Sequence, residues 1–287
     1  MTTTTPDQCV PQQIPRAHDI LDKEVTRTSA ERDALRQFRA QCAQIEPDSH
    51  SPTTGMDTTT PSSASQTLST GLTGLTNMIR TRTQHTTPTT SSALTQVHEA
   101  YRETVMALDH YDEEYNEPLA VNLAAEVGDD LASAITANER FPSQIKQSLD
   151  HAIQQCIASR TMLLDDLEQE REALDTAETT ITEIIEWLRA HTTQPMDAWS
   201  LTERYQLYET LEAHESHCNA VAAARQQRVR NHRTTAARAD DRLFNAYLYE
   251  SLSVAYPILA DLATLGDLLR EARGRLEGTL IPRLAVR

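Results

Sequence analysis

The chain has 287 residues, which is enough for one large domain or two ordinary ones. Acidic residues outnumber basic ones by 42 to 26, and the formal net charge is −16. The chain contains only 7 glycines and 13 aromatic residues. A β-sandwich, a barrel or a Rossmann fold needs many glycine turns and strands rich in aromatic or β-branched residues, so this composition argues against all three classes.

The charge balance also bears on partners and habitat. Affinity for nucleic acid comes from lysine and arginine side chains that neutralise phosphates, so the acid excess argues against nucleic acid as a main partner. Lys23 and Lys146 are the only lysines. An acidic, lysine-poor surface indicates a salt-loaded cytoplasm, where salt screens the repulsion between carboxylates. The chain shows neither a basic-then-apolar leader nor a long apolar stretch, so we expect a cytoplasmic protein without membrane association.

The first 92 residues predict a helix between two polar segments. Residues 1–15 form a polar tail that we expect to be disordered. Residues 16–46 predict an amphipathic helix, because apolar residues recur at helical spacing until Pro47 ends the pattern. Residues 47–92 are dominated by Thr, Ser, Pro and Gly, which indicates a flexible linker that tethers the N-terminal helix. Four apolar residues with 4-3-4 spacing leave open a short docked helix inside this linker.

Residues 93–141 predict an acidic cluster of short helices. The carboxylate-rich run from Asp109 to Pro118 separates two of these helices, and Gly128 is expected to close the second. Carboxylates before a helix start are stabilised by the positive end of the helix dipole, so we interpret the run as a solvated capping loop. The alternative is a cation site, although the run lacks the ligand spacing and central glycine of an EF-hand loop.

The segment 142–287 begins with the most regular pattern of the chain. Between residues 142 and 191, twelve positions step by four and three, and ten of them are apolar. This heptad seam predicts one helix of 50 residues, about 75 Å long at about 1.5 Å per residue. The twelve positions are Leu149, Ile153, Cys156, Arg160, Leu163, Leu167, Glu170, Leu174, Ala177, Ile181, Ile184 and Leu188.

A second heptad helix follows a turn at residues 192–199. Ser200 and Glu203 have the spacing of a capping box at its start, and the seam continues to Leu243. Two long helices joined by a short turn predict an antiparallel, coiled-coil-like hairpin, so the expected fold is all-α and elongated. Pro257 is expected to kink or end the helix that follows, and we expect the last helices to pack on residues 93–141.

Charged residues interrupt both seams of the hairpin, and Glu170 and Arg225 are two of them. A turn centred near Pro195 brings Glu170 and Arg225 within one helical turn of each other, so we predict an interhelical pair that fixes the register. The arginine-rich stretch around the second of them favours internal pairing with the acidic run on the opposite helix. The alternative is a phosphate-binding stripe of a regulatory nucleic-acid factor. The arginines concerned are Arg225, Arg228, Arg230, Arg233 and Arg238.

His214, His217 and Cys218 are the nearest approach to a chemical site. On a helix they lie within an arc of about 100°, so they could share one zinc ion. The seam places Cys218 inward and His217 outward, which favours a buried free cysteine beside solvated histidines, and we expect neither a metal nor a cofactor. The sequence contains no GxSxG, GxGxxG or Walker motif, so we predict no catalytic residue and a non-enzymatic protein.

Two stretches of the chain carry a family pattern. They are Tyr101–Met106 with His110–Tyr115 and Glu117–Ala120, and later Tyr247–Tyr249 with Tyr256–Leu259. They resemble a family of haloarchaeal helical proteins that is catalogued only as a domain of unknown function, and the resemblance covers the N-terminal helix and everything after the linker. It implies a halophilic archaeal source, a cytoplasmic setting and no assigned catalytic or ligand residue. We therefore expect an interaction or scaffold protein that binds itself or a helical partner through helix faces.

Overall fold

The computed structural model describes residues 11–48, 92–192, 199–235 and 241–280. Every regular element in these ranges is an α-helix, which confirms the all-α prediction. Most of the predicted linker, the docked helix left open within it, most of the N-terminal tail and most of the turn at 192–199 lie outside the described residues. The helices are α1 (Gln13–Gln44), α2 (Ala93–Thr104), α3 (Tyr111–Glu114), α4 (Leu119–Val127), α5 (Asp129–Thr136), α6 (Ser143–Thr192), α7 (Leu201–Thr235), α8 (Asp241–Leu248) and α9 (Pro257–Leu280).

The chain divides into two compact units. Unit 2 is Ala34–Ile157, and unit 1 contains the chain before and after it. The boundaries fall inside α1 and α6, so they divide the segments 16–46 and 142–287 drawn from the sequence, whereas 93–141 lies wholly in unit 2. A helix of about 20 residues already spans a small domain, so the 50 residues of α6 extend through more than one core. Within the described ranges, no helix combines the length and apolar character needed to cross a membrane.

The long periodic segment forms one helix, as predicted. α6 has 50 residues, and ten of the twelve seam positions are buried, with Arg160 and Leu163 half-buried. Its C-terminal part runs antiparallel to α7 in unit 1, because Glu170 contacts Arg225 whereas the later Trp187 contacts the earlier His214. A three-four spacing of apolar residues is therefore sufficient to specify both the helix and the face that it buries.

The start of α7 confirms the predicted capping box. The Ser200 backbone N–H donates to Glu203 Oε2 at 2.7 Å, and the Glu203 N–H donates to Ser200 Oγ at 3.3 Å. The expectation that Pro257 kinks or ends the preceding helix was wrong. The preceding helix ends at Leu248, and Pro257 instead begins α9, where its fixed φ suits a first helical position and its missing N–H is not needed.

The core of unit 1 joins α1, α6, α7 and α9. The arrangement of α9 corrects the expectation that the last helices pack on residues 93–141. α9 runs antiparallel to α7, since Arg204 Nη1 donates to the Thr279 carbonyl and Cys218 Sγ lies 3.5 Å from the Leu262 carbonyl. The physical reason is a stripe of apolar residues at three-four spacing, which α9 buries in the same core as the seams of α6 and α7. The stripe is Ile258, Leu262, Leu265, Leu269, Ala272 and Leu276.

Unit 2 packs the four short helices against the end of α1 and the beginning of α6. Phe38 of α1 meets Tyr101 of α2 edge-to-face, with ring centroids 5.1 Å apart. The buried Tyr101 hydroxyl donates to Asn122 Oδ1 of α4 at 2.6 Å. Gly128 ends α4 and caps α5 with a φ of +91°, a conformation that glycine adopts without a steric penalty. α1 therefore contributes its first part, up to Asp33, to unit 1 and its last part, from Ala34, to unit 2.

Candidate functional site

A buried polar cluster joins α6, α7 and the segment that ends α8. Glu170 Oε2 accepts a hydrogen bond from Arg225 Nη1 at 2.6 Å, and Glu170 Oε1 accepts one from Arg225 Nη2 at 2.7 Å. The Tyr249 hydroxyl also donates to Glu170 Oε1 at 2.7 Å, and Arg225 Nη2 donates to Asn245 Oδ1 at 3.2 Å. Only 4% of Glu170 and 6% of Arg225 are exposed. We call these four residues the buried ion-pair network.

The geometry of the network favours strong hydrogen bonds to the Glu170 carboxylate. The bidentate fork of Arg225 matches the two carboxylate oxygens of Glu170, the geometry in which such pairs are strongest. Burial and the neighbouring carboxylate raise the pKa of Tyr249 far above its ordinary value, so its hydroxyl stays a hydrogen-bond donor. Glu170 and Arg225, which each interrupt one seam, thus meet, whereas their role in setting the helix register stays a prediction. The heptad pattern did not indicate that Tyr249 and Asn245 join this network, because neither residue is a seam position.

The arginine-rich stretch is divided between the interior and the surface. Arg225 belongs to the buried network, and Arg228 Nη1 donates to the backbone oxygen of Gln169 on α6 at 3.1 Å. Arg230 is exposed. The side chains of Arg233 and Arg238 lie outside the described part of the chain. A phosphate-binding stripe would therefore lack Arg225, because a duplex cannot reach a side chain enclosed between two helices.

His214, His217 and Cys218 face different surroundings. Cys218 is buried, its Sγ lies beside the Leu262 carbonyl, and burial raises the pKa of its thiol. The His214 ring lies 4.7 Å from the Trp187 ring, and burial lowers its pKa, which favours the neutral imidazole. His217 is exposed. Among the described residues, one group of metal-ligating side chains brings its ligand atoms close together, and it contains none of His214, His217 and Cys218.

That group consists of His18 on α1 with Asp175 and Glu178 on α6. His18 Nε2 lies 3.6 Å from Asp175 Oδ1 and 3.4 Å from Glu178 Oε2. The sequence indicates only that Asp175 and Glu178 lie on one face of a helix, because residues three apart share a face. The histidine comes from a helix 157 positions earlier, and no spacing rule connects such distant residues. The carboxylate-rich run Asp109–Pro118, by contrast, contributes no described group of this kind.

Asp261 makes another contact between helices that the sequence did not indicate. This residue of α9 caps the start of α1, where its Oδ2 accepts from the backbone N–H groups of Gln13 at 2.9 Å and Ile14 at 2.8 Å. Its Oδ1 accepts from the N–H of Gln12 at 3.2 Å. Burial raises the pKa of Asp261, and the three backbone hydrogen bonds partly offset this effect. The first N–H groups of a helix need acceptors, and here another helix supplies them.

Exposed apolar side chains gather at one place on α7. Leu201 and Tyr205 lie one turn apart on the same helix face, and each is 56% exposed. The other large apolar side chains that are exposed in the described ranges belong to different helices or connections. They are Val121, Met162, Tyr247 and Tyr256. Single exposed apolar residues are ordinary on protein surfaces, whereas an adjacent pair offers a small continuous apolar surface.

Comparison with known proteins assigns the chain to a family. A family model described as a domain of unknown function, DUF7260, matches residues 12–273. The comparison with curated proteins and the comparison with solved structures each found no significant match. The matched range includes the whole buried ion-pair network and residues of both compact units. The chain therefore belongs to the DUF7260 family, whose domain has no known function.

Proposed function

We propose that this protein is a non-enzymatic helical scaffold of a halophilic archaeon, active in the cytoplasm, that binds through exposed helix faces. The acidic, lysine-poor composition supports the salt-rich setting. The scaffold role is supported by how the described polar clusters are used, because they connect helices. Glu170 with Arg225 joins α6 to α7, and Asp261 joins α9 to α1.

The observation that carries the proposal is the exposed apolar pair Leu201 and Tyr205 on the first turns of α7. Its occupant is a second copy of the chain. An apolar pair can meet its own copy across a twofold axis without bringing like charges together. The exposed positions of α6 are rich in carboxylates, so two copies of that helix would repel each other in a chain with a net charge of −16.

Light scattering of the full chain over a range of protein concentrations in molar KCl tests this proposal. We expect a mass above that of the monomer, and we expect Leu201→Ser with Tyr205→Ser to shift the equilibrium towards monomer. Met162→Ser is the matched control, because Met162 is 60% exposed but lies on α6. Circular dichroism of all three proteins should show the same helix content.

Two outcomes would contradict the proposal. The first is a wild-type protein that stays monomeric at every concentration. The second is an association that the change of Leu201 and Tyr205 leaves intact, because the contact would then lie elsewhere.

A further inference from the structure

The cluster of His18, Asp175 and Glu178 lies inside unit 1, where the first turns of α1 approach the middle of α6. The side chain of His18 is 19% exposed, whereas Asp175 and Glu178 are 63% and 48% exposed. The histidine follows Ala17, which is fully buried, and most of its own side chain is covered as well. The cluster therefore has a fixed, sheltered nitrogen on one side and two carboxylates accessible to water on the other.

The ring nitrogen of His18 is close to both carboxylates without bonding to either. Its Nε2 atom is shielded from solvent and has no hydrogen-bond partner, although carboxylate oxygens lie 3.4 and 3.6 Å away. A buried polar atom without a partner is costly and calls for an explanation. Around a tetrahedral ion with bonds of about 2.0–2.2 Å, neighbouring ligand atoms lie about 3.3–3.6 Å apart. The observed separations therefore match the edges of a coordination tetrahedron.

We propose that His18 Nε2, Asp175 and Glu178 form a binding site for a divalent transition-metal ion such as Zn²⁺. One imidazole and two carboxylates make a ligand set that suits Zn²⁺ better than Mg²⁺ or Ca²⁺, which prefer oxygen ligands throughout. Three protein ligands leave a fourth position for water or for a group from a partner. The ion would join α1 to α6 and would satisfy the ring nitrogen.

The surrounding charges favour a cation at this place. Among the described residues, the basic group within 3.6 Å of both carboxylates is the imidazole of His18, which carries a charge only when it is protonated. Arg171, one turn before Asp175 on α6, is occupied by Asp22 at 2.6 Å and by Glu168 at 3.7 Å. Both carboxylates also belong to the segment 99–186, which has 21 acidic and 5 basic residues. A metal ion would thus be attracted both by its ligands and by the field around them.

Calorimetric titration of the full chain with ZnCl2, after EDTA treatment and buffer exchange, tests the site. We expect one tight site per chain. His18→Gln and Glu178→Gln each remove a ligand, so their loss of affinity should exceed the about 10–100-fold loss that changes around the ligands cause. Glu178→Gln is a second, independent variant, because this exposed side chain can change without a cost in packing.

His217→Gln is the matched control, since it removes an exposed histidine from the other group considered as a zinc site. We expect this variant to bind Zn²⁺ like the wild type. The Co²⁺ complex should lack a thiolate charge-transfer band, because no cysteine belongs to the proposed site. Absence of tight binding to the wild type would overturn the proposal. So would unchanged affinity in His18→Gln, or a loss of binding in His217→Gln with a thiolate band, which would place the ion at Cys218.

Discussion

Glu170 and Arg225 carry opposite charges into a region that water does not reach. Two hydrogen bonds between them and one from Tyr249 replace the lost hydration of the carboxylate. Such a pair adds little to the net stability of a fold, because the desolvation of both ions opposes their attraction. We expect the pair to contribute to specificity instead, since a helix displaced along its neighbour would leave two buried charges without partners.

The first prediction compares the loss of one charge of the Glu170–Arg225 pair with the loss of both. In a Tyr249→Phe background, which removes the donor that would otherwise lose its acceptor, Arg225→Leu should lower the free energy of unfolding by about 3–5 kcal/mol. Adding Glu170→Leu should recover most of this loss, because no buried charge remains. Urea denaturation at fixed salt measures both. Equal stability of the two variants would show that the charges do not depend on each other. If the double change also left oligomeric state and helix register unaltered, the register role would be wrong.

The start of α1 depends on a residue of α9. Asp261 is 2% exposed and accepts three backbone hydrogen bonds there. The positive end of the helix dipole and these donors favour its ionised form, whereas burial disfavours it and prevails in the direction of the pKa shift. The folded protein therefore holds this proton more tightly than the unfolded chain does.

The second prediction follows from the sign of that shift. A raised folded pKa contributes stability that is complete below the pKa of an unfolded aspartate, about 3.9, and that is lost as the pH rises through the folded value. Asp261→Asn removes this titration. The free energy of unfolding of the wild type relative to Asp261→Asn should therefore decline as the pH rises. Urea denaturation over a series of pH values measures it, and Asp267→Asn, an exposed change on the same helix, should follow the wild type. Parallel curves for wild type and Asp261→Asn would contradict the prediction.

Charge is distributed unevenly along the chain. The segment 99–186 has 21 acidic and 5 basic residues, and this difference equals the net charge of −16. The segments before and after it are close to neutral. Like charges along α6 repel each other over about 10 Å at 0.1 M salt and over about 3 Å at 1 M. The helical fold therefore carries an electrostatic cost at low salt that screening removes.

The third prediction concerns this cost. The free energy of unfolding should rise as KCl increases from about 0.1 M to about 1 M, because the Debye length shortens from about 10 Å to about 3 Å. Neutralising three exposed carboxylates of α6, through Asp165→Asn, Glu183→Gln and Glu186→Gln, should reduce the slope of stability against salt. Thermal denaturation at several salt concentrations measures both slopes. Identical slopes would show that repulsion along this helix does not limit stability.

The local part of this structure could be predicted because its causes are local. Spacings of three and four residues specify α6 and its buried face, and Ser200 with Glu203 specifies the start of α7. The meeting of Glu170 and Arg225 follows from the same periodicity once two helices fold back on each other. The helix that packs against α9 could not be predicted in this way. An apolar stripe indicates that one face of a helix is buried, but it does not identify the element that covers this face.

The sequence by itself determined the helical class, the extent of α6, the start of α7 and the inward face of α6, since helical periodicity and capping depend on residues within a few turns. Only the tertiary structure decided that α9 covers α7, that Asp261 caps α1 and that His18 meets Asp175 and Glu178. The contacts that define these arrangements join residues between 44 and 249 positions apart, the smallest separation being that of Cys218 and Leu262 and the largest that of Gln12 and Asp261. No local pattern encodes such neighbours, because they are selected by the packing of whole helices.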